Sequence, residues 1–176
     1  MILVISTESN EQFGVAVGEE SIEGFRVVKK RFRQSELLLK TIYELLEKKN
    51  KKLVDLSGIV VVSGPGVFSG IRIGVTTGNA LGYGLNVPVV GVEVAEHGTR
   101  NTEHEVITNN QIPIINLNRK KEGERLEKIF QEGRKKLKGK PSTPLSLRPF
   151  GKFEMKGIVV AKYGSEPNIS IPKLKK

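Results

Sequence analysis

Through His97 the chain alternates short, nearly unbroken apolar runs with longer stretches of helical period. Residues 1–6, 12–18 and 24–29 read as three strands, the last two joined by the turn residues Gly18-Glu19-Glu20-Ser21. They form an antiparallel meander. Residues 34–49 change period: Leu38, Leu39, Ile42, Leu45 and Leu46, continued by Leu53, carry the apolar positions, while Glu36, Lys40, Glu44, Glu47 and Lys48 lie opposite. Residues 56–63 are a fourth strand, 69–85 a second helix, and 87–92 a fifth strand introduced by Asn86 and Pro88. The pattern predicts an α/β lobe with a mixed five-stranded sheet, in the element order of the actin, sugar-kinase and Hsp70 superfamily.

Beyond His97 the pattern weakens. Residues 98–110 are polar without a period, 113–117 suit a short strand, and 119–138 suit a charged helix anchored by Leu126, Ile129, Phe130 and Leu137. Three prolines make 139–149 an extended linker; 155–163 suit one more strand and 165–176 a frayed end. The expected organisation is a lobe over 1–97 and a reduced, basic region over 98–176.

The second helix carries glycine at 70, 74, 78 and 82. Each glycine costs a helix about 1 kcal/mol relative to alanine, so a stripe of them calls for a close packing partner. They spread over an arc of roughly 120°, flanked by Ile73, Thr77, Leu81 and Leu85, with Val75, Asn79 and Tyr83 on the far side. The apolar arc of the first helix, about 160° with Tyr43 included, exceeds the ~100° that one sheet contact requires. Part of the glycine stripe is expected on the domain's own sheet. The surplus predicts a docking surface for another chain, made by Leu38, Ile42, Leu45 and Leu46 with Gly70, Ile73, Gly74, Thr77, Gly78 and Leu81.

Ahead of that helix, Gly64-Pro65-Gly66 with Ser69 and Arg72 forms a strand-to-helix loop. Such loops cradle phosphate on helix N-terminal amides. This one lacks both the G-x-G-x-x-G spacing and the Gly-Lys-Ser/Thr of a P-loop, and Pro65 removes a donor. A plain tight turn is the competing assignment. Asp55 is the sole aspartate, and His97 and His104 stand seven apart, off the spacing of a helical metal pair. No metal, no cofactor and no catalytic residue is expected.

The absence of cysteine excludes disulfides and thiolate chemistry. No stretch approaches a membrane span, and the apolar N-terminus lacks a basic leader, so a cytoplasmic protein is expected. The net charge of +10 lies entirely past His97: residues 1–97 hold 11 basic and 11 acidic side chains, 98–176 hold 18 and 8. A neutral front and basic rear point to a protein-facing module joined to a polyanion-facing one. Arg119, Lys120, Lys121, Arg134, Lys135 and Lys136 are the candidate RNA contacts.

The run Gly64-Pro65-Gly66-Val67-Phe68-Ser69-Gly70-Ile71-Arg72-Ile73-Gly74 resembles the GPGSFTGLRIG signature of the TsaB (YeaZ) family. Residues 2–7, 13–17 and 86–92 are similar to strands of that family, so the likeness covers about 1–97, and 144–149 resemble an element near its C-terminus. The resemblance implies an actin-like scaffold without catalysis, an accessory to threonylcarbamoyladenosine synthesis on tRNA. It would pair through its first two helices with a TsaD-like transferase, be joined by a TsaE-like ATPase, and reach tRNA indirectly or through its basic region. Pairing of the chain with a second copy of itself, as a homodimer, is the alternative arrangement when that partner is absent. Ser6 stands where relatives begin an Asp-Thr pair, TsaD's paired-histidine motif has no counterpart, and 98–143 are shorter and more charged than the family's second lobe. The alternative is an actin-like enzyme that binds ATP itself.

Overall fold

A computed structural model describes residues 1–95, 112–113, 119–140 and 159–162. The elements are β1 (Ile2–Ser6), β2 (Phe13–Gly18), β3 (Ile22–Val28), α1 (Gln34–Glu47), β4 (Gly58–Gly64), α2 (Phe68–Leu85), β5 (Val89–Ala95), β6 (Ile112–Pro113) and α3 (Arg119–Leu137). They form one six-stranded sheet in the order β3-β2-β1-β4-β5-β6. The meander β1-β2-β3 is antiparallel, and β1, β4, β5 and β6 run parallel. The five strands expected before His97 and the three helices are present, and two-residue β6 at the edge overlaps the short strand expected over 113–117 at Pro113.

Strands β1 and β4 are unbroken apolar runs because both faces of the sheet are covered. Leu3, Ile5, Ile59 and Val61 point into a core closed by α1 and α2. Their neighbours Ile2, Val4, Val60 and Val62 point into a second core closed by Leu126, Ile129 and Phe130 of α3. The charged helix expected from the basic region is therefore the third layer of the lobe, and its few apolar anchors suffice because all three are fully buried.

Local signals set the boundaries. Strand β4 begins later than residue 56 because Leu53–Asp55 form a single 3-10 turn. The Asp55 carboxylate accepts the Lys52 amide at 2.7 Å, so the lone aspartate closes that exposed turn. Asn86, with φ of 51°, ends α2 in the left-handed region, and the Val87 amide returns to the Gly82 carbonyl at 2.9 Å. The expected strands over 113–117 and 155–163, the linker, both histidines and the 144–149 element lie wholly or mostly outside the described residues. Where described, 159–162 form no regular strand.

The glycine stripe of α2 faces inward. A Cβ at Gly70 or Gly74 would run into Thr7, one at Gly78 into the Val61 side chain, and one at Gly82 into Val89. All four glycines bring α2 down onto its own sheet, so the expectation that part of the stripe meets another chain is corrected. Gly84 points to open space. Gly78→Ala should therefore destabilise the fold by about 1–3 kcal/mol through overpacking. Gly84→Ala should stabilise it by up to ~1 kcal/mol. Paired urea-denaturation curves check the opposite signs.

Candidate functional site

Strands β1 and β4 are parallel neighbours whose connections leave in opposite directions, β1 toward β2 and β4 toward β5. In open α/β sheets the crevice at the carboxyl ends of such a strand pair is the ligand position. Here the position is filled by the chain itself. The loop Gly64-Pro65-Gly66 folds back over Glu8, where a Cβ on Gly66 would come within 2.7 Å of the Glu8 carbonyl oxygen. The Val67 amide, at the mouth of α2, donates to that carbonyl at 2.8 Å. The Thr7 hydroxyl donates to the Gly70 carbonyl at 2.8 Å. These contacts favour the tight-turn assignment for the loop: an amide that a phosphate cradle would use is already bonded to Glu8, just past the end of β1.

Below the loop lies a buried charge network. The Glu8 carboxylate, 2% exposed, pairs with the Arg125 guanidinium of α3, 7% exposed. The Ser6 hydroxyl donates to Glu8 at 3.0 Å and accepts from Arg125 Nη1 at 3.2 Å. Glu122, one turn back on α3, lies 3.6 Å from Arg125 and accepts a hydrogen bond from the Gln12 side-chain amide. Two carboxylates thus share one guanidinium beneath the loop. Serine at position 6 is small enough to bridge the pair.

Pattern reading missed Glu8, Gln12, Glu122 and Arg125. A signal was present: Glu122 and Arg125 fall on the helical stripe of Leu126, Ile129 and Phe130, and charged residues on a buried stripe need partners.

Residues 159–162 close the far side. The Asn79 side chain donates to the Val159 carbonyl at 2.8 Å and accepts the Val159 amide at 3.1 Å. The Lys162 amide donates to the Ser63 carbonyl at 2.6 Å, and its ammonium reaches Glu93. Gly64, with φ of 130°, is backed by the Lys162 carbonyl and leaves no space for a side chain. The side of α2 expected to point away is accordingly divided: Val75 is buried, Asn79 holds this segment, and Tyr83 is exposed.

The residues expected at the docking surface separate in the same way. Leu38, Ile42, Leu45 and Leu46 are buried in the chain's own core, together with Gly70, Gly74 and Gly78. These seven are corrected from partner contacts to core positions, because the sheet beneath them needs that cover. Ile73, Thr77 and Leu81 are half-buried. The apolar surface left over belongs to their neighbours: Leu39, Tyr43 and Tyr83 are 46%, 56% and 55% exposed. Ser69 and Arg72 are exposed on α2, the Arg72 guanidinium 5.8 Å from the Phe68 ring. Lys120, Lys121, Lys135 and Lys136 are exposed on α3; Arg134 is half-buried and pairs with Glu20 at 3.5 Å, and Arg119 opens the helix.

The model of the family TsaD, tRNA N6-adenosine threonylcarbamoyltransferase, matches residues 29–118. The tRNA threonylcarbamoyladenosine biosynthesis protein TsaB of Bacillus subtilis is 33% identical over 104 residues, covering 58% of this chain and 45% of the relative. YeaZ from Pseudomonas aeruginosa superposes with a TM-score of 0.50 at 26% identity, over 53% of this chain and 43% of that one. The chain belongs to the TsaB/YeaZ family. A tRNA N6-adenosine threonylcarbamoyltransferase from Geotalea daltonii is 44% identical over 55 residues, 31% of this chain and 16% of the relative. The chain spans less than half the length of each of these family relatives. The span matched by the family model takes in α1, β4, the glycine loop, α2 and β5, whereas Glu8 and Arg125 lie on either side of it.

Removing the guanidinium leaves two buried carboxylates without compensation. Arg125→Met should cost ~3–5 kcal/mol. The double variant Glu8→Gln/Arg125→Met should be less destabilised than the sum of its parts, by about 1–3 kcal/mol of coupling. A double-mutant cycle from urea denaturation measures both.

Proposed function

We propose that this chain is a non-catalytic accessory subunit of tRNA threonylcarbamoyladenosine synthesis, holding a TsaD-like transferase against the outer surface of α1 and α2. The observation that carries the proposal is the closed switch point. The place where a nucleotide phosphate would bind is occupied by Glu8, paired with Arg125, under a loop bonded to the segment that follows β1. A second carboxylate, Glu122, borders the same guanidinium. Phosphate oxygens brought there would displace an internal ion pair and meet like charge.

The apolar surface that the fold leaves over supports the docking half of the proposal. Leu39 and Tyr43 stand one turn apart on α1, and Tyr83 is exposed on α2, in the layer that the sheet separates from α3. Tyrosines with a wet edge and an apolar body suit the centre of a protein interface. The transferase family model matches residues 29–118, which hold both helices, so a paired arrangement brings similar helices face to face. In the absence of the transferase the same surface serves self-association, and a TsaE-like ATPase joins the assembled pair. The alternative, ATP binding by this chain alone, requires the Glu8–Arg125 pair to open. Saturable heat on titrating the isolated chain with Mg-ATP would restore it.

Tyr43→Arg combined with Tyr83→Arg tests the docking surface, since both side chains are exposed and the core is untouched. The expected outcome is at least a tenfold weaker complex with the cognate TsaD-like subunit, by co-purification and calorimetry, at an unchanged melting temperature. Undiminished capture of the transferase by the double variant overturns the proposal.

A further inference from the structure

The outer face of α3 carries a row of lysines that the scaffold role does not use. Lys121, Lys128 and Lys135 are exposed and recur every seven residues. Seven residues bring a helix back to within ~20° of the same direction and advance it by about 10.5 Å, so the three ammonium groups form a nearly straight row of roughly 21 Å. Lys120 and Lys138 flank it, both exposed. Among the described residues no carboxylate lies within ion-pair distance of Lys120, Lys128, Lys135 or Lys138.

The acidic residues of α3 are mostly engaged elsewhere. Glu122 is buried in the network with Arg125. Glu127 accepts the Ile22 amide at 2.9 Å and the Gln131 side chain at 2.7 Å. Glu132 pairs with Lys136 at 3.0 Å. Glu124 alone remains on the outer face beside the row. Two of the residues expected as RNA contacts, Arg134 and Lys136, are likewise taken up by Glu20 and Glu132.

From this placement we infer that the outer face of α3 is a docking surface for an RNA sugar-phosphate backbone, read by charge and not by sequence. The inference rests on the role in tRNA modification proposed above, which supplies the RNA. Lysine is a compact point charge that meets a phosphate from any direction, whereas bidentate capture of a protein carboxylate favours arginine. A polyanion with closely spaced charges offers every lysine of the row a phosphate in any register. Among the described residues the face exposes no large apolar side chain, since Leu126, Ile129 and Phe130 are buried, so those residues offer nothing to insert into a lipid surface and no ring on which a base could stack. The sheet separates this face from α1 and α2, so RNA and a protein partner can be held together.

The test uses the full chain and the variant Lys121→Glu/Lys128→Glu/Lys135→Glu, with fluorescence anisotropy of a labelled tRNA transcript between 50 and 200 mM salt. The native chain should lose affinity steeply with salt and bind a scrambled RNA equally well. The variant should bind at least tenfold more weakly at the low-salt end, and its logarithmic salt slope should be shallower by about 2. The corresponding Lys→Gln triple variant should flatten the slope to a similar degree without introducing repulsion; circular dichroism establishes that both variants are folded. Equal affinity and equal slope for native and variant chains overturn the inference, as does tighter binding of the native chain to phosphatidylserine vesicles than to tRNA. Both triple variants should still capture the TsaD-like subunit. Retained capture with unchanged RNA binding removes this inference and leaves the scaffold role standing; lost transferase capture by Tyr43→Arg/Tyr83→Arg bears only on the docking surface of α1 and α2.

Discussion

The central constraint is a sheet whose middle strands are apolar on both sides. Strands β1 and β4 alternate residues between two cores, so neither face can be left to water, and one short chain must supply a helical layer to each. Helices α1 and α2 cover one face and α3 the other. Close approach is obtained by removing side chains: α2 rests on the sheet through its glycine stripe, and in α3 a Cβ at Gly133 would overlap Val60. The helical stability forgone at each glycine, about 1 kcal/mol, is offset by the dispersion contacts that the shorter spacing permits. What the helices present outward differs between the two layers: tyrosines and leucine on one, lysines on the other.

The Glu8–Arg125 pair ties the third layer to the segment that leaves the first strand, across a separation of 117 residues. A buried ion pair contributes little net stability compared with apolar residues of the same shape, because desolvation consumes most of the Coulombic gain. What it does impose is register. Arg125 reaches Glu8 and Ser6 only if α3 lies along the sheet at one height, and Glu122 with Gln12 marks the same height from the next turn. The apolar anchors of α3 alone would tolerate sliding. The network therefore accounts at once for the placement of α3 and for the occupation of the crevice.

Much of the lobe was legible because its signals are local. Unbroken β-branched runs identify strands buried on both faces, the helical period identifies α1, and Leu126, Ile129 and Phe130 correctly anticipate a helix despite its charge. Boundaries shifted where short-range chemistry intervened, as with the Asp55-closed turn ahead of β4. The direction of the glycine stripe was only partly legible, since a bare helix face suits its own sheet and a foreign helix equally. The identity of the packing atoms, Val61 and Val89 among them, decides between these, and they come from other parts of the chain. The switch-point network was missed for the same reason, its members being separated by the length of the lobe. Leu38, Ile42, Leu45 and Leu46 were assigned to a partner because a wide apolar arc does not say which portion the sheet consumes; the portion left outside is Leu39 and Tyr43.

A glycine loop of phosphate-binding type can persist where no phosphate is bound, provided the fold itself demands its glycines. Gly64 adopts a φ of 130° against the Lys162 carbonyl, and Gly66 lies against Glu8, so both positions exclude a side chain irrespective of any ligand. The Val67 amide is bonded to the Glu8 carbonyl, and Gly70 must be bare for α2 to approach Thr7. Each glycine of the motif through Gly70 is thus accounted for by contacts within the chain. A family signature carried by such a loop records how the strand, turn and second helix are packed, and it is compatible with a chain in which the reaction belongs to a partner and only the shape of the lobe has been kept.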